Sequence, residues 1–431
     1  MATKKKKKLK IKKGRLITFL FCLILIVAVL CLGWKYIKGK IDVLPPDPIN
    51  QEEKKDPESI KKDPIEITIS CCGDIMMHDG QLAYAKESDG TYDCSKQFKY
   101  VKDIMASADL TLANLEFSLP GKEPYAGYPA FKVPDSILDA VLEMGVDVGL
   151  MSNNHMLDSG YDVLMRGVDT VRSKGIVVSG AQHPDENRYQ IVDVKGLKVG
   201  IISYTYESGR KDGKRAVQSH VLNDKMALSI NSFTQDTTEL LDKDLEDIRA
   251  QIDFARADGA NIIAVYMHWG TEYKKYADKN QQYIADKLVA FGADVVFGSH
   301  PHVPEEIEIK KLGDKEVPVF MSLGNFISNQ RFESLASTYG DTVAKHTEIG
   351  MIGNVTFSFD PNTGKLSLKD TSYTPLWVDR TGKVGSYTYD LIPLVEGFEN
   401  NPALVKSGHV DRAKEALEYL KTLTGEELIK Q

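Results

Sequence analysis

Apolar positions in this chain follow two periods. Short runs rich in β-branched residues alternate with stretches in which apolar residues recur every three or four positions. Ile65–Cys72 predicts a first strand, ending at Gly73-Asp74. A helical stretch follows through about Met105. Asp109–Ala113 predicts a strand that ends in Asn114-Leu115-Glu116. A helix around Ser136–Met144 leads to a strand at Val146–Met151, which ends in Ser152-Asn153-Asn154-His155. Residues 161–174 read as a helix stopped by Gly175, and Ile176–Ser179 as a short strand. Tyr189–Val194 and Lys198–Tyr204 predict a hairpin about Lys195-Gly196-Leu197. Residues 237–258 form a strongly amphipathic helical pattern, followed by a buried strand at Asn261–Met267 that ends in His268-Trp269-Gly270. A helix at 280–291 precedes the strand Asp294–Phe297, which runs on into Gly298-Ser299-His300-Pro301-His302-Val303. Val317–Leu323 ends in Gly324-Asn325. Gly353–Phe359 and Lys365–Ser372 flank Asp360-Pro361-Asn362-Thr363-Gly364, which has turn chemistry, and 410–429 is a closing amphipathic helix. Strands alternating with helices predict an α/β fold in which helices cover the sheet.

The first 64 residues follow a different pattern. Residues 1–15 are a basic head with Lys4 to Lys8, Lys10, Lys12, Lys13 and Arg15. Leu16 to Trp34 carries no charge and is nineteen residues long, enough for a helix to cross a hydrocarbon core of about 30 Å. The basic flank places Met1 in the cytoplasm and everything beyond Lys35 outside the cell membrane, on a single-pass anchor at 16–34. A cleaved signal peptide would carry a shorter apolar core and a small-x-small site, and none is evident. Cys31 follows Leu30 rather than a small residue, which argues against lipoprotein cleavage. Residues 35–64 hold Pro45, Pro46, Pro48, Pro57 and Pro64 among many charges and read as an extended tether. The folded body is expected to span 65–395, with 396–431 as a C-terminal helical segment.

Charge changes the picture of partners. The net charge of −7 combines twelve Lys/Arg and no Asp/Glu in residues 1–40 with 42 basic against 61 acidic residues in the remainder, which is −19. Such a body is a poor binder of nucleic acid, whose sequence-independent recognition rests on Lys/Arg at phosphates. An anionic polymer needs a local basic or metal-lined site to overcome that field. Three cysteines lie in the body, Cys71, Cys72 and Cys94. They allow at most one disulfide, between Cys94 and one of the other two, or else buried thiols.

The chemistry collects at strand ends. Asp74, Glu116, Asn154, His155, His268, His300 and His302 each follow an apolar run. Open α/β sheets place ligands outside the carboxyl ends of their strands, so these residues are expected to converge. Carboxylate, amide oxygen and imidazole together suit a divalent transition metal such as Mn, Zn or Fe, as one or two ions. Pro301 disfavours helix at His300, which sets the His-x-His pair on an extended segment. Asp158 either supports an imidazole or caps the helix at 161–174. Asn325 ends a strand at the same rim. Glu272 and Tyr273 either line the pocket or lie on the surface, and Lys132 and Arg331 either face substrate charge or solvent.

Taken in order, Gly73-Asp74-Ile75-Met76, Asn114-Leu115-Glu116, Asn153-Asn154-His155 with Asp158 and Gly160, His268-Trp269-Gly270 with Glu272-Tyr273, Gly298-Ser299-His300-Pro301-His302-Val303 and Ser322-Leu323-Gly324-Asn325-Phe326 resemble the poly-γ-glutamate capsule synthesis family called CapA or PgsA. That family is a branch of the calcineurin-like metallophosphoesterases, and the resemblance covers roughly 66–330. It implies an α/β/β/α sandwich with a dinuclear metal centre. Asp74, Glu116, Asn154, His268, His300 and His302 match metal ligands, Glu116 standing where the superfamily has a bridging aspartate. His155 matches the histidine that contacts the scissile group. The superfamily's first-motif histidine is replaced by Met76, and His78 is the candidate substitute. The function implied is extracytoplasmic handling of poly-γ-glutamate, in synthesis, export or release, beside a membrane-embedded polymer synthase. A metal-dependent phosphoesterase for another envelope polymer and a non-catalytic, polymer-binding accessory subunit are the alternatives.

Overall fold

Strand Ile65–Ile75 is the spine of the first sheet. Its side chains alternate between two cores, Ile67, Ile69 and Cys71 on one face and Cys72 and Ile75 on the other, as a strand buried on both faces requires. It runs parallel to Leu110–Leu115 and Asn325–Ile327 and antiparallel to Ile349–Asp360. Val148–Leu150 and Val177–Ser179 continue the parallel side, and Lys365–Thr381 and Thr388–Pro393 the antiparallel side. The second sheet orders Ser232–Phe233, Leu197–Tyr206, Ile262–His268, Val295–Ser299 and Lys315–Phe320 in parallel, with Ile307–Leu312 and Gln190–Val194 antiparallel to their neighbours. These elements come from a computed structural model, which describes residues 61–211, 213–235 and 238–430. The basic head, the predicted span 16–34 with Cys22 and Cys31, and nearly all of the tether lie outside the described residues. Among the described residues no helix is long and apolar enough to cross a membrane.

The apolar side chains fall into three cores, and the cores define the layers. One lies between the sheets, joining Ile67, Ile69 and Leu112 to Ile201, Ala264, Tyr266 and Phe297. A second lies under helices Ile137–Glu143 and Tyr161–Ser173 on the outer face of the first sheet. A third lies under Glu239–Ala257 and Lys279–Ala290 on the outer face of the second. The C-terminal helix Val410–Thr424 adds Ala413, Ala416 and Leu420 to the core between the sheets.

Several elements differ from the pattern-based expectation. The stretch to Met105 is not one helix but three short ones, Asp79–Ala85, Cys94–Gln97 and Lys102–Met105, because Gly90 turns the chain at φ 87°. Three parallel strands outlast their apolar runs and carry Asp74, Asn114 and His268 into the ladder; polar residues hide that continuation from a hydropathy reading. Ile307–Leu312 is an edge strand whose Lys and Glu residues masked it. The charged segment 209–221 folds into a small sheet of Gly209–Lys211, Lys214–Val217 and His220–Val221. Cys71, Cys72 and Cys94 are buried free thiols, so the disulfide considered above does not form.

Two glycines bring the layers close enough to make a site. A Cβ on Gly73 would meet the Gly324 carbonyl oxygen at 1.9 Å, and the Asp74 N–H donates to that same oxygen at 3.1 Å. A Cβ on Gly298 would meet the Met321 oxygen at 2.1 Å. Both contacts draw the segment 321–325 against the strand ends that carry Asp74 and His300.

Candidate metal centre

Every residue expected at the strand ends arrives from a parallel strand. Asp74, Glu116 and Asn154 come from the first sheet; His268, His300 and His302 come from the second. All six are at least 95% buried. Asn114 fixes the two carboxylates, its Nδ2 donating to Asp74 Oδ1 at 2.7 Å and to Glu116 Oε2 at 3.0 Å. Asn153 in turn donates to Asn114 Oδ1 at 3.1 Å. The Ser299 hydroxyl also donates to Asp74 Oδ1.

His302 Nδ1 faces Asp74 Oδ2 at 3.0 Å and Asn325 Oδ1 at 3.1 Å. Both partners are acceptors, so Nδ1 carries the hydrogen and Nε2 keeps its lone pair. That Nε2 lies 4.0 Å from Glu116 Oε1, and His268 Nε2 lies 3.8 Å from the same oxygen. Asn154 Oδ1 stands 2.9 Å from His268 Nε2. The backbone is strained at the paired histidines, with φ 100° at His300 and 58° at His302. Residues other than glycine rarely adopt such angles, and they cluster at functional sites.

The donor set fits a cation. Ligand-type atoms of Asp74, Glu116 and His302 lie within 4.8 Å of one another, and so do those of Glu272, His300 and His302. Glu116 Oε1 and His300 Nδ1 are buried without a hydrogen-bond partner among the described residues, a condition that costs about 1–3 kcal/mol for each atom. Burial, and then the charge of Asp74, push the Glu116 carboxyl well above the usual carboxylate range. Burial pushes the Asp74 carboxyl up as well, but the hydrogen bond and charge of His302 outweigh it and leave it well below. Burial holds His268 down to about 3 and His300 well below the usual imidazole range. Neutral imidazoles facing crowded carboxylates form a set that a divalent cation stabilises.

His155 stands beside this set. Its Nδ1 is 2.9 Å from Asp158 Oδ2, which also accepts from Phe131 N at 2.7 Å. Asp158 therefore orients an imidazole; the cap of helix Tyr161–Ser173 is Gly160. Gln218, with its amide nitrogen turned toward these groups, donates to Asp158 Oδ1 at 2.7 Å and to the Asn154 carbonyl at 3.0 Å. Sequence reasoning missed Gln218, which sits in the turn between Lys214–Val217 and His220–Val221 of the small sheet it did not foresee. His78 joins neither ligand group. Its Nδ1 accepts from Asn329 N at 3.2 Å and its ring packs edge-on against Phe131, which packs against His155. Met76 is buried in the outer core. Asn325 steadies His302 and donates to the His302 and Thr347 carbonyls. Glu272 is exposed and part of the second ligand group, a role its sequence position left open. Lys132 is half-buried. Arg331 is buried against Glu348 at 3.1 Å and donates to the Val378 carbonyl at 2.7 Å, so its charge is used internally.

Residues 68–330 match the family model described as bacterial capsule synthesis protein PGA_cap. The capsule biosynthesis protein CapA of Bacillus anthracis is 25% identical over 341 residues, 74% of this chain and 77% of that protein. The PGA biosynthesis protein CapA of Bacillus subtilis is 23% identical over 270 residues, 61% of this chain and 64% of that one. Among solved structures, a phosphatase from Mycoplasma pneumoniae aligns at a TM-score of 0.41 with 13% identity, over 73% of this chain and 94% of that one.

Proposed function

The chain belongs to the bacterial capsule synthesis protein family PGA_cap, and from that membership we propose that it acts on an anionic cell-envelope polymer, poly-γ-glutamate, through a divalent-metal centre at its strand ends. Its two similar Bacillus proteins carry capsule and PGA biosynthesis in their names. The metallophosphoesterase-type α/β/β/α sandwich is part of this reading, supported by three cores that separate two sheets and two outer helix layers. So is the setting: a single-pass anchor at 16–34, a cytoplasmic N-terminus and the folded body outside, beside a membrane-embedded synthase.

The observation that carries the reading is the pair of unpartnered atoms, Glu116 Oε1 and His300 Nδ1, facing into a buried set of carboxylate and imidazole donors. Asp74, Glu116, Asn154, His268, His300 and His302 hold the cation, Mn, Zn or Fe. Bound there, the metal supplies Lewis-acid polarisation of a phosphoryl or carbonyl oxygen. The chain's own residues do the rest. Asn114 keeps Asp74 and Glu116 in register, and Asp158 holds His155 with Nδ1 protonated, so Nε2 is the nitrogen that gives or takes a proton at the scissile group. The wall of Phe131 and the buried strand ends keeps bulk water from the donors.

A second reading, a non-catalytic accessory subunit with a structural cation, draws on one observation. Met76 packs in the outer core and His78 against Phe131, so neither adds an imidazole to the two ligand groups. Elemental mass spectrometry of the purified chain, beside a His300→Ala/His302→Ala variant, tests the metal centre. Transition metal in the parent and not in the variant is the expected result. Its absence from a metal-replete parent removes the metalloprotein reading and leaves polymer binding alone.

A further inference from the structure

The small sheet of Gly209–Lys211, Lys214–Val217 and His220–Val221 starts on one layer of the sandwich and ends on the other. Its base belongs to the second sheet. The buried carboxylate of Glu207, just past strand Leu197–Tyr206, accepts from Arg210 Nε at 3.1 Å and from Arg215 Nε at 2.6 Å. Arg210 also donates to Asp244, on helix Glu239–Ala257, at 2.6 Å. The far end belongs to the first sheet, where Val217 and Leu222 are buried in the outer core. Between those two side chains the strands reverse through Gln218 and Ser219, with Val217 opposite His220. Both turn residues have positive φ, 42° and 70°. A two-residue hairpin turn of that kind favours Asn-Gly, and neither position here is asparagine or glycine. Residues held at such angles cluster where their side chains serve a site.

The Gln218 amide has such a site to serve. It donates to Asp158 Oδ1 at 2.7 Å and to the Asn154 carbonyl at 3.0 Å, one contact on either side of His155. The other Asp158 oxygen is taken by His155 Nδ1 and Phe131 N. We propose that Gln218 is a positioning residue for the His155–Asp158 pair and for Asn154, a role that rests on the function proposed above. Through Asp158 Oδ1 it fixes the rotation of the carboxylate and shares its negative charge. Oδ2 then holds the His155 Nδ1 hydrogen without drawing it off the ring. Through the Asn154 carbonyl it steadies the backbone from which Asn154 Oδ1 comes within 2.9 Å of His268 Nε2. The small sheet thus sets residues of the first sheet from a base on the second.

Gln218→Asn separates positioning from a merely structural role. Asparagine suits the turn better than glutamine but is shorter by one methylene, which takes its amide away from Asp158. The full chain in mild detergent, labelled with nitrogen-15 at histidine, is read by NMR at the His155 Nδ1 hydrogen, a signal assigned by its loss in His155→Gln. With one donor removed, Asp158 holds more charge and its bond to that hydrogen tightens. The signal is therefore expected to move downfield in Gln218→Asn. Gln218→Met, which keeps the length and lacks the donor, is expected to move it the same way. Ser219→Gly relieves the turn, keeps the amide and is expected to leave the signal in place. Mn(II) affinity in equilibrium dialysis is expected to fall about tenfold in the two Gln218 variants and not in Ser219→Gly. A signal unmoved in both Gln218 variants, or moved equally by Ser219→Gly, would overturn the role of Gln218. Unchanged Mn(II) affinity would overturn its role at Asn154. A parent that binds no Mn(II) would overturn the metal centre, while a shifted signal would still place Gln218 behind His155.

Discussion

Asp158 receives the Nδ1 hydrogen of His155 at 2.9 Å, and both side chains are almost completely buried. Asp158→Asn keeps the shape but removes the anion, and the Phe131 N–H competes for the remaining acceptor. Unfolding free energy is expected to fall by about 1–3 kcal/mol in denaturant titration. Nitrogen-15 NMR should show the His155 proton leaving Nδ1. A variant with parental stability and an unchanged tautomer would show that Asp158 does not orient His155.

Asn114 Nδ2 bridges Asp74 and Glu116, which repel each other when both are ionised. Asn114→Leu removes the shared donor without emptying the space. Cation affinity is expected to fall about 10–100-fold in a metal titration, the range typical when a ligand's hydrogen-bonding support is lost. Affinity within a factor of two of the parent would mean that the carboxylates hold themselves in place.

Gly73 and Gly167 give a matched pair of alanine substitutions. At Gly73 the added methyl meets backbone at 1.9 Å, so Gly73→Ala should destabilise by about 3 kcal/mol or more and displace Asn325 from His302. At Gly167, inside helix Tyr161–Ser173, the nearest atom is Met151 Cε at 3.4 Å, an ordinary contact. Gly167→Ala should therefore stabilise by about 0.5–1 kcal/mol through helix propensity. Thermal and denaturant unfolding of the two variants decide the matter; equal effects would refute the close-approach argument.

His346 stacks on Tyr419 with ring centroids 3.5 Å apart, and burial, followed by the charges of Lys275 and Lys345, pushes it down to about 4. The unfolded chain binds that proton near the ordinary imidazole pKa of about 6.5, so between the two values the unfolded state carries more protons. Stability from this residue is present above about pH 6.5 and is lost as pH falls toward 4, with a slope approaching about 1.4 kcal/mol per pH unit. His346→Gln should flatten the acid limb of stability against pH in that window. An unchanged acid limb would place the titrating group elsewhere.

Much of this was legible because each parallel strand switches from apolar to ligand-type residues where it leaves the sheet. Asp74, Glu116, Asn154, His268, His300 and His302 are marked by that switch, and the sheets bring them together. Glu272 and Gln218 carry no such mark. Glu272 is an exposed acid in a loop, and Gln218 reaches Asp158 from 60 residues away through a charged mini-sheet with no apolar rhythm. The role of Asn114 was hidden for another reason: an amide inside a strand reads as an interruption until its two carboxylate partners are placed. Arg331 looked like a surface cation because its partner, Glu348, lies 17 residues on, across the helices Phe332–Tyr339 and Asp341–His346.

The six inward donors are divided three and three between two sheets, so the full set exists only when the sheets are docked. The site is in this sense a signature of completed assembly. A chain that is partly folded, clipped or domain-separated offers isolated histidines and acids of ordinary affinity, while the docked form offers one tight cluster. A cation held by donors from both sheets would favour the docked form over the undocked one by mass action.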